Sequence, residues 1–327
     1  MPRALVTGGT GFIGSHTVEY LLQRGFTVRC LVRPSRKGLG WLDGLPVEIV
    51  QASLFDPDAI QLAIQDAEYV FHIAGVTKAR KHRDFFEGNV TTTRNLLEVA
   101  SRTAHLKKFC FVSSLTAVGP SHDGTPLDEQ APCQPISTYG VSKLEAETLC
   151  QLYSQRVPMV VIRPPAVYGP RDQDVLELFR WVSRGITPIL GSRQKSLSLI
   201  YATDLARAMV EATLSERTTG ETYFAAEETV HVVVHLIDLV AALMGKRTVP
   251  LLAPPFLIYS AAAVAEFFSL FSSKPPVLNI EKARDIVQPH WVCSSKKIEH
   301  HIGFKCNVPA MEGLKMTYEW YKQHGWI

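Results

Sequence analysis

The chain has 327 residues, 46% hydrophobic and 20% charged, the proportions of a globular protein with a large core. Its formal charge of +3 is too slight to argue for nucleic acid or an anionic membrane as partner. The length sets an expectation of about two domains, or of one domain with an elaborated second lobe. Six scattered cysteines form no CxxC pair, and Cys30 and Cys110 sit in apolar runs where a cysteine behaves as a small hydrophobe. An apolar strand begins almost at the N-terminus and leaves no room for a signal peptide, so the expected setting is a reducing cytoplasm.

The first element is the apolar run Ala4-Leu5-Val6, followed by Thr7-Gly8-Gly9-Thr10-Gly11-Phe12-Ile13-Gly14 and a helix through residue 22. Its glycines fall at 8, 11 and 14. Gly8 permits a tight turn, and Gly11 removes a side chain so that the backbone of Phe12 and Ile13 can approach a pyrophosphate at the helix N-terminus. Gly14 lets helix and strand pack closely. Residues 26–32 read as a second strand about twenty residues on, which is the setting a dinucleotide fingerprint requires. After it comes Arg33-Pro34-Ser35-Arg36-Lys37, with no acid and three cations. An acid there would take a ribose 2′-hydroxyl, whereas Arg33 suits a 2′-phosphate, so NADP is expected over NAD.

Residues 47–51 read as a third strand and Asp56-Pro57 as a turn into a helix. Residues 69–75 form a fourth strand that ends in Ala74 and Gly75, small residues past which a cofactor can lie close. His72 lies mid-strand and reads as a core histidine. A long helix over 85–102 and a fifth strand over 109–113 complete an alternating pattern, which gives a parallel doubly wound sheet with ligands at the carboxyl ends of its strands.

Ser113-Ser114 ends the fifth strand, and Tyr139-Gly140-Val141-Ser142-Lys143 opens a helix capped by Ser137-Thr138. Tyr139 and Lys143, four apart, lie one helical turn from each other. An ammonium there would lower the tyrosine pKa from about 10, and a serine hydroxyl would hold a substrate oxygen while tyrosine moves the proton.

With these residues in hand the chain resembles the extended short-chain dehydrogenase/reductases. That family includes nucleotide-sugar epimerases, dehydratases, dihydroflavonol reductases and 3β-hydroxysteroid dehydrogenases. The resemblance rests on the glycine motif, Phe71-His72-Ile73-Ala74-Gly75, Asn89-Val90, Val112-Ser113-Ser114, Tyr139 with Lys143, and Arg163-Pro164-Pro165-Ala166-Val167-Tyr168-Gly169-Pro170. It continues through Ile200-Tyr201-Ala202-Thr203-Asp204-Leu205 to Trp320-Tyr321 and Gly325-Trp326. It implies a Rossmann-type domain over 1–165, with 200–225 returning to it, and a smaller, mainly helical substrate lobe over 166–327. It further implies Tyr139 as general acid/base, Lys143 on the nicotinamide ribose, and Ser114 on the reacting oxygen. Pro164 and Val167 would lie by the nicotinamide and Ser53-Leu54 by the adenine, although the family commonly has aspartate at position 53. Family relatives pair through the helices around 85–102 and 139–154, so a homodimer is expected.

Departures narrow the branch. Sugar 4,6-dehydratases carry Asp-Glu directly after the active-site hydroxyl residue, where this chain has Leu115 and Thr116. Epimerases usually have asparagine at Ala166 and a diphosphate-gripping arginine at Leu197, although Arg193 or Lys195 could stand in. The leading reading is an NAD(P)-dependent oxidoreductase that interconverts a ketone or aldehyde and an alcohol on a fairly apolar small molecule. The alternative is a nucleotide-sugar epimerase with tightly held NAD, and a non-catalytic cofactor-binding regulator ranks third. Residues 251–271 form an apolar stretch, and the helix read within it from 256 to 271, interrupted by Glu266, is shorter than the roughly 20 residues of a membrane span. A helix packed within the C-terminal lobe is expected there, ahead of a substrate lid and of a monotopic membrane contact. His231 and His235 lack a third ligand and predict no metal, and His300-His301 reads as solvated surface.

Overall fold

The computed structural model describes residues 1–34, 38–269 and 278–327. The cations Arg36 and Lys37, and the residues Leu270-Phe271 at the end of the apolar stretch, lie outside them. The first half alternates strand and helix: β1 (Arg3–Thr7), α1 (Phe12–Gln23), β2 (Thr27–Val32), β3 (Glu48–Gln51), α2 (Pro57–Ile64) and β4 (Tyr69–His72). Then come α3 (His82–Phe86), α4 (Thr92–Ala100), β5 (Lys108–Val112), α5 (Thr138–Tyr153) and β6 (Met159–Arg163). The second half holds β7 (Ala166–Tyr168), α6 (Asp174–Ser183), β8 (Ile186–Leu190), β9 (Ser196–Leu197), β10 (Leu199–Tyr201) and α7 (Ala202–Leu214). It continues with β11 (Thr222–Phe224), β12 (His231–Val232), α8 (Val233–Leu243), β13 (Val249–Ala253), α9 (Pro255–Ser269), α10 (Ile280–Val287), β14 (His290–Trp291), α11 (Lys296–Ile302) and α12 (Ala310–Gln323).

Seven parallel strands form one Rossmann-like sheet in the order β11-β6-β5-β4-β1-β2-β3. The chain runs from β1 outward to β3 and then returns to place β4 on the other side of β1. The crevice between the carboxyl ends of β1 and β4 is therefore the topological switch point where such sheets bind ligands. Strand alternation builds both faces. Ala4, Val6, Val28, Cys30, Cys110 and Val112 point into one buried layer, while Leu5, Leu31, Phe109 and Phe111 point into the other. Asp56 caps α2 by accepting from the amides of Asp58 and Ala59, each at 3.1 Å, and Pro57 fits the first helical position.

The helix expected over 85–102 is broken. Between α3 and α4 the backbone widens into a π-helical turn, Glu87–Thr91, which re-aims Asn89. The smaller lobe carries the remaining strand pairs and a core of Tyr168, Phe179, Tyr201, Tyr321 and aliphatic neighbours. Arg171 fastens it to α1, donating to the Ser15 hydroxyl at 3.0 Å and the Glu19 carboxylate at 2.5 Å while covering the Trp41 ring. Trp41 in turn meets Trp320 and Trp326 near the C-terminus, at centroid distances of 5.5 and 6.4 Å. Among the described residues no helix is long and apolar enough to cross a membrane.

Candidate active site

The glycine turn forms a cradle because two of its glycines have no room for a side chain. A Cβ on Gly14 would stand 2.1 Å from the Gly8 carbonyl oxygen, and one on Gly8, whose φ is +78°, would stand 2.7 Å from the Ala74 amide nitrogen. Gly11 differs: it is exposed, and a Cβ there would meet only Gly8 O, at 3.2 Å. No side chain caps α1 after Gly11, and its first turn carries no acid. The first-turn amides and the positive end of the helix dipole are left for an anion. These features fit a dinucleotide pyrophosphate.

A relay of hydrogen bonds holds the two strand ends beside this cradle. The Thr7 hydroxyl donates to His72 Nδ1 at 2.7 Å and accepts from the Ala74 amide at 3.3 Å. The Thr93 hydroxyl donates to the Asn89 carbonyl at 2.5 Å, so it accepts from His72 Nε2 at 2.9 Å. These bonds assign the tautomer of a neutral imidazole, and burial pushes the His72 pKa down to about 3, with the Lys143 charge adding to the shift. His72 is a core residue with both ring nitrogens engaged, as its mid-strand position predicts.

The other proposed cofactor positions surround this crevice unevenly. Phe12 and Ile13 open α1, and Arg33 is exposed at the end of β2. Ser53 spends its hydroxyl on its own turn, accepting from the Phe55 amide at 3.2 Å. Leu54 is buried in the sheet layer, its carbonyl accepting from Asn95 at 2.9 Å. Pro164 is buried with its carbonyl accepting from the Leu115 amide at 2.9 Å, and Val167 packs against the opposite layer.

Ser114, Tyr139 and Lys143 come together at the carboxyl end of β5. Ser137 caps α5, and Gly140 allows α5 to press on the short turn Leu115–Ala117. Ser114 accepts from the Thr116 amide at 3.2 Å and the Thr116 hydroxyl at 2.9 Å, and its own hydroxyl bonds the Tyr139 phenol. Because both contacts to Thr116 are accepted, the Ser114 proton is free to point at the phenol oxygen. Lys143 donates to the Val112 carbonyl at 2.6 Å and lies 4.3 Å from the Phe111 ring centroid. A Cβ on Gly75 would be 4.0 Å from its Nζ, so this ammonium joins the Ser-Tyr pair to the cradle.

The electrostatics differ from the sequence expectation. Burial pushes Tyr139 up to about 12, Ser114 opposes that shift, and the Asp285 carboxylate adds to it. Burial brings Lys143 down to about 8, with Glu147 pulling the other way. In this chain Lys143 is turned to the Val112 carbonyl, and desolvation governs the phenol.

Several participants carry no local signature in the sequence. Asn89, quoted only as part of a motif, accepts from the Val76 amide at 2.7 Å and donates to the Ser142 hydroxyl at 2.9 Å, locking the loop after β4 to α5. Helix α10 crosses the start of α5. Its Glu281 accepts from the Thr138 amide at 2.5 Å, and Arg284 donates to the Ile136 carbonyl at 3.3 Å. Asp285 bonds Ser137 and keeps its Oδ1 buried without a partner. Lys195 donates to the adjacent Ile286 carbonyl at 2.5 Å. The capping residue Asn279 could have announced α10, but nothing in the sequence places that helix against Tyr139.

His231 starts β12 and pairs with Glu227 at 3.0 Å, while His235 lies in α8. No metal-binding cluster occurs among the described residues. His301 corrects the expectation of a solvated pair, because its Nδ1 bonds the Tyr223 hydroxyl at 2.7 Å and the two rings meet edge-on.

A parallel sheet with a glycine cradle at its switch point defines a Rossmann-like nucleotide-binding fold. The family model of the NAD dependent epimerase/dehydratase family matches residues 4–226, and the chain belongs to that family, within the extended short-chain dehydrogenase/reductases. It is an enzyme of this family. It is 29% identical to a ceramide reductase of Caulobacter vibrioides over 98% of this chain and 95% of the relative. To a putative dihydroflavonol 4-reductase of Synechocystis it is 28% identical, again covering 98% and 95%. Among solved structures, a UDP-glucose 4-epimerase of Thermus thermophilus in complex with NAD overlays with a TM-score of 0.78 at 25% identity, covering 98% of this chain and 99% of that one. The UDP-glucose 4-epimerase of Thermotoga maritima, at 24% identity and a TM-score of 0.82, covers 98% and 99% and shares the fold.

Proposed function

We propose that the protein is an NADP-preferring oxidoreductase that interconverts a ketone or aldehyde and an alcohol on a fairly apolar molecule. The observation that carries this reading is the Ser114–Tyr139 pair beside Lys143, with no carboxylate at the two positions that follow. Leu115 is buried, and the Thr116 hydroxyl is spent on Ser114. Such a site holds one proton carrier at one oxygen, which suits carbonyl reduction and lacks the second acid/base of an elimination. Gly8, Gly11, Phe12, Ile13, Gly14, Ala74 and Gly75 would hold the cofactor, with Lys143 on its ribose, Pro164 and Val167 flanking the nicotinamide, and Arg33 on a 2′-phosphate. When bound, the dinucleotide supplies or takes up the hydride. Ser114 holds the substrate oxygen by hydrogen bond, and Tyr139 delivers the proton to it as the carbonyl carbon gains the hydride. The names of the ceramide reductase and dihydroflavonol 4-reductase relatives support the reductase branch. We assign the protein a homodimer through α4 and α5 as its working state.

The epimerase is the second reading, favoured by solved UDP-glucose 4-epimerases that match along the whole chain. One titration separates the two. Reversible binding with an NADPH preference that collapses in Arg33→Asp is expected of the reductase. Stoichiometric NAD that survives purification, with no dependence on Arg33, would establish the epimerase instead.

A further inference from the structure

We propose that the surface formed by β13 and α9 docks on an anionic phospholipid bilayer. The stretch was expected to pack within the lobe, and only one side of it does. Ile258 and Ala262 pack with Ala283 of α10. The opposite side carries Phe256, Val264 and Phe268, eight and twelve residues apart from the first and so on one helical face. These three side chains are 66%, 56% and 66% exposed, and Leu257 lies beside them. Strand β13, which leads into α9, also exposes apolar side chains, with Val249 at 71% and Leu251 at 54% exposure. So many exposed large apolar side chains on one strand and the helix that follows it mark an interaction site rather than ordinary protein surface.

The occupant is set by charge and length. From residue 239 to residue 265 the chain has no acidic side chain. Lys246 and Arg247 stand exposed just before β13, and Arg193 stands exposed just after β8, the strand with which β13 pairs. Cations around an apolar face complement anionic headgroups over acyl chains. Pairing this face with a second copy about a two-fold axis would bring two cationic rims together, and the one acid of α9, Glu266, is turned to the α10 side, where it accepts from the Ile280 amide at 3.3 Å. Helix α9 has 15 residues, about 22 Å at the helical rise, which suits a helix lying in the plane of the interface. The other side of α9 packs on α10, which carries Glu281 and Asp285 to the start of α5, so these two helices stand between the docked face and Tyr139. The docking does not rest on the proposed function.

The test is flotation of the full chain with phosphatidylglycerol–phosphatidylcholine vesicles and with phosphatidylcholine alone. Wild type should float with the anionic vesicles, less so as salt rises. Lys246→Gln with Arg247→Gln should weaken binding by about thirtyfold, at the usual contribution of a cation near an anionic surface. Phe256→Ser with Phe268→Ser should weaken it by roughly a hundredfold or more, given the burial each ring would lose. Both variants should keep the wild-type melting temperature. No flotation of wild type overturns the proposal. So does a Phe256→Ser, Phe268→Ser variant that turns a dimer into a monomer while vesicle binding is unchanged, since the patch then faces a second copy. Docking by a chain that reduces no carbonyl upholds this inference and removes only the functional reading.

Discussion

Gly140 and Thr116 touch so closely that a Cβ on Gly140 would stand 2.3 Å from the Thr116 carbonyl oxygen. Residue 140 follows the proposed proton carrier, and residue 116 fixes the Ser114 hydroxyl, so this contact sets how near the phenol lies to the serine. Gly140→Ala should push α5 off the turn and cost about 1–3 kcal/mol of stability. It should lower kcat by about a hundredfold through misplacement while cofactor affinity stays near wild type. Steady-state kinetics beside a cofactor titration would check this, and an unchanged kcat would show that the contact does not position Tyr139.

Tyr139→Phe removes the phenol hydroxyl bonded to the Ser114 side chain, leaving the ring against Phe85. Turnover should fall by about two to four orders of magnitude, the range for general acid/base groups, with cofactor binding retained. A variant of near-normal activity would end the assignment of Tyr139 as proton carrier.

Glu147 lies one turn beyond Lys143 and forms a buried pair with Arg163, whose Nη2 and Nε approach its carboxylate at 2.6 and 3.0 Å. Glu147→Gln would leave the guanidinium buried without its counter-charge, at a cost of about 3–5 kcal/mol. Glu147→Leu combined with Arg163→Met should cost much less, since both charges leave together. Urea unfolding of the three proteins tests the order. Equal losses in the single and double variants would show that packing, rather than charge, holds this site.

Burial pushes the Asp285 carboxyl up to about 6, opposed by its bond to Ser137. An unfolded aspartate titrates near pH 4, so between about pH 4 and 6 the folded chain holds a proton that the unfolded chain has released. The cost of Asp285 is therefore absent below pH 4 and fully present above pH 6. Asp285→Asn should stabilise the fold by about 1–2 kcal/mol at pH 8 and leave it unchanged at pH 4. Since the Asp285 charge raises the Tyr139 pKa, the same variant should move the phenol limb of the pH–rate profile downward. Equal stabilisation at both pH values, together with an unmoved limb, would refute the role given to this carboxylate.

The sequence by itself determined the parts of the molecule whose physics is local. The strand alternation at residues 4–6 and 109–112, the glycine spacing at 8, 11 and 14, and the four-residue step from Tyr139 to Lys143 each act within one strand, turn or helical turn. The sheet and cradle were accordingly legible, and so was His72 as a core residue. Tertiary structure alone decided what depends on segments distant in the chain. It carried α10 across the start of α5, so that Glu281 and Asp285, more than 140 residues from Tyr139, reached the site. It turned Lys143 toward the Val112 carbonyl, so that desolvation rather than an ammonium governs the phenol. It broke the helix at Asn89 so that one side chain could bind both Val76 and Ser142. It also left Phe256, Val264 and Phe268 facing outward, because apolar composition gives a helix its hydrophobicity while only its packed neighbours decide which face is buried.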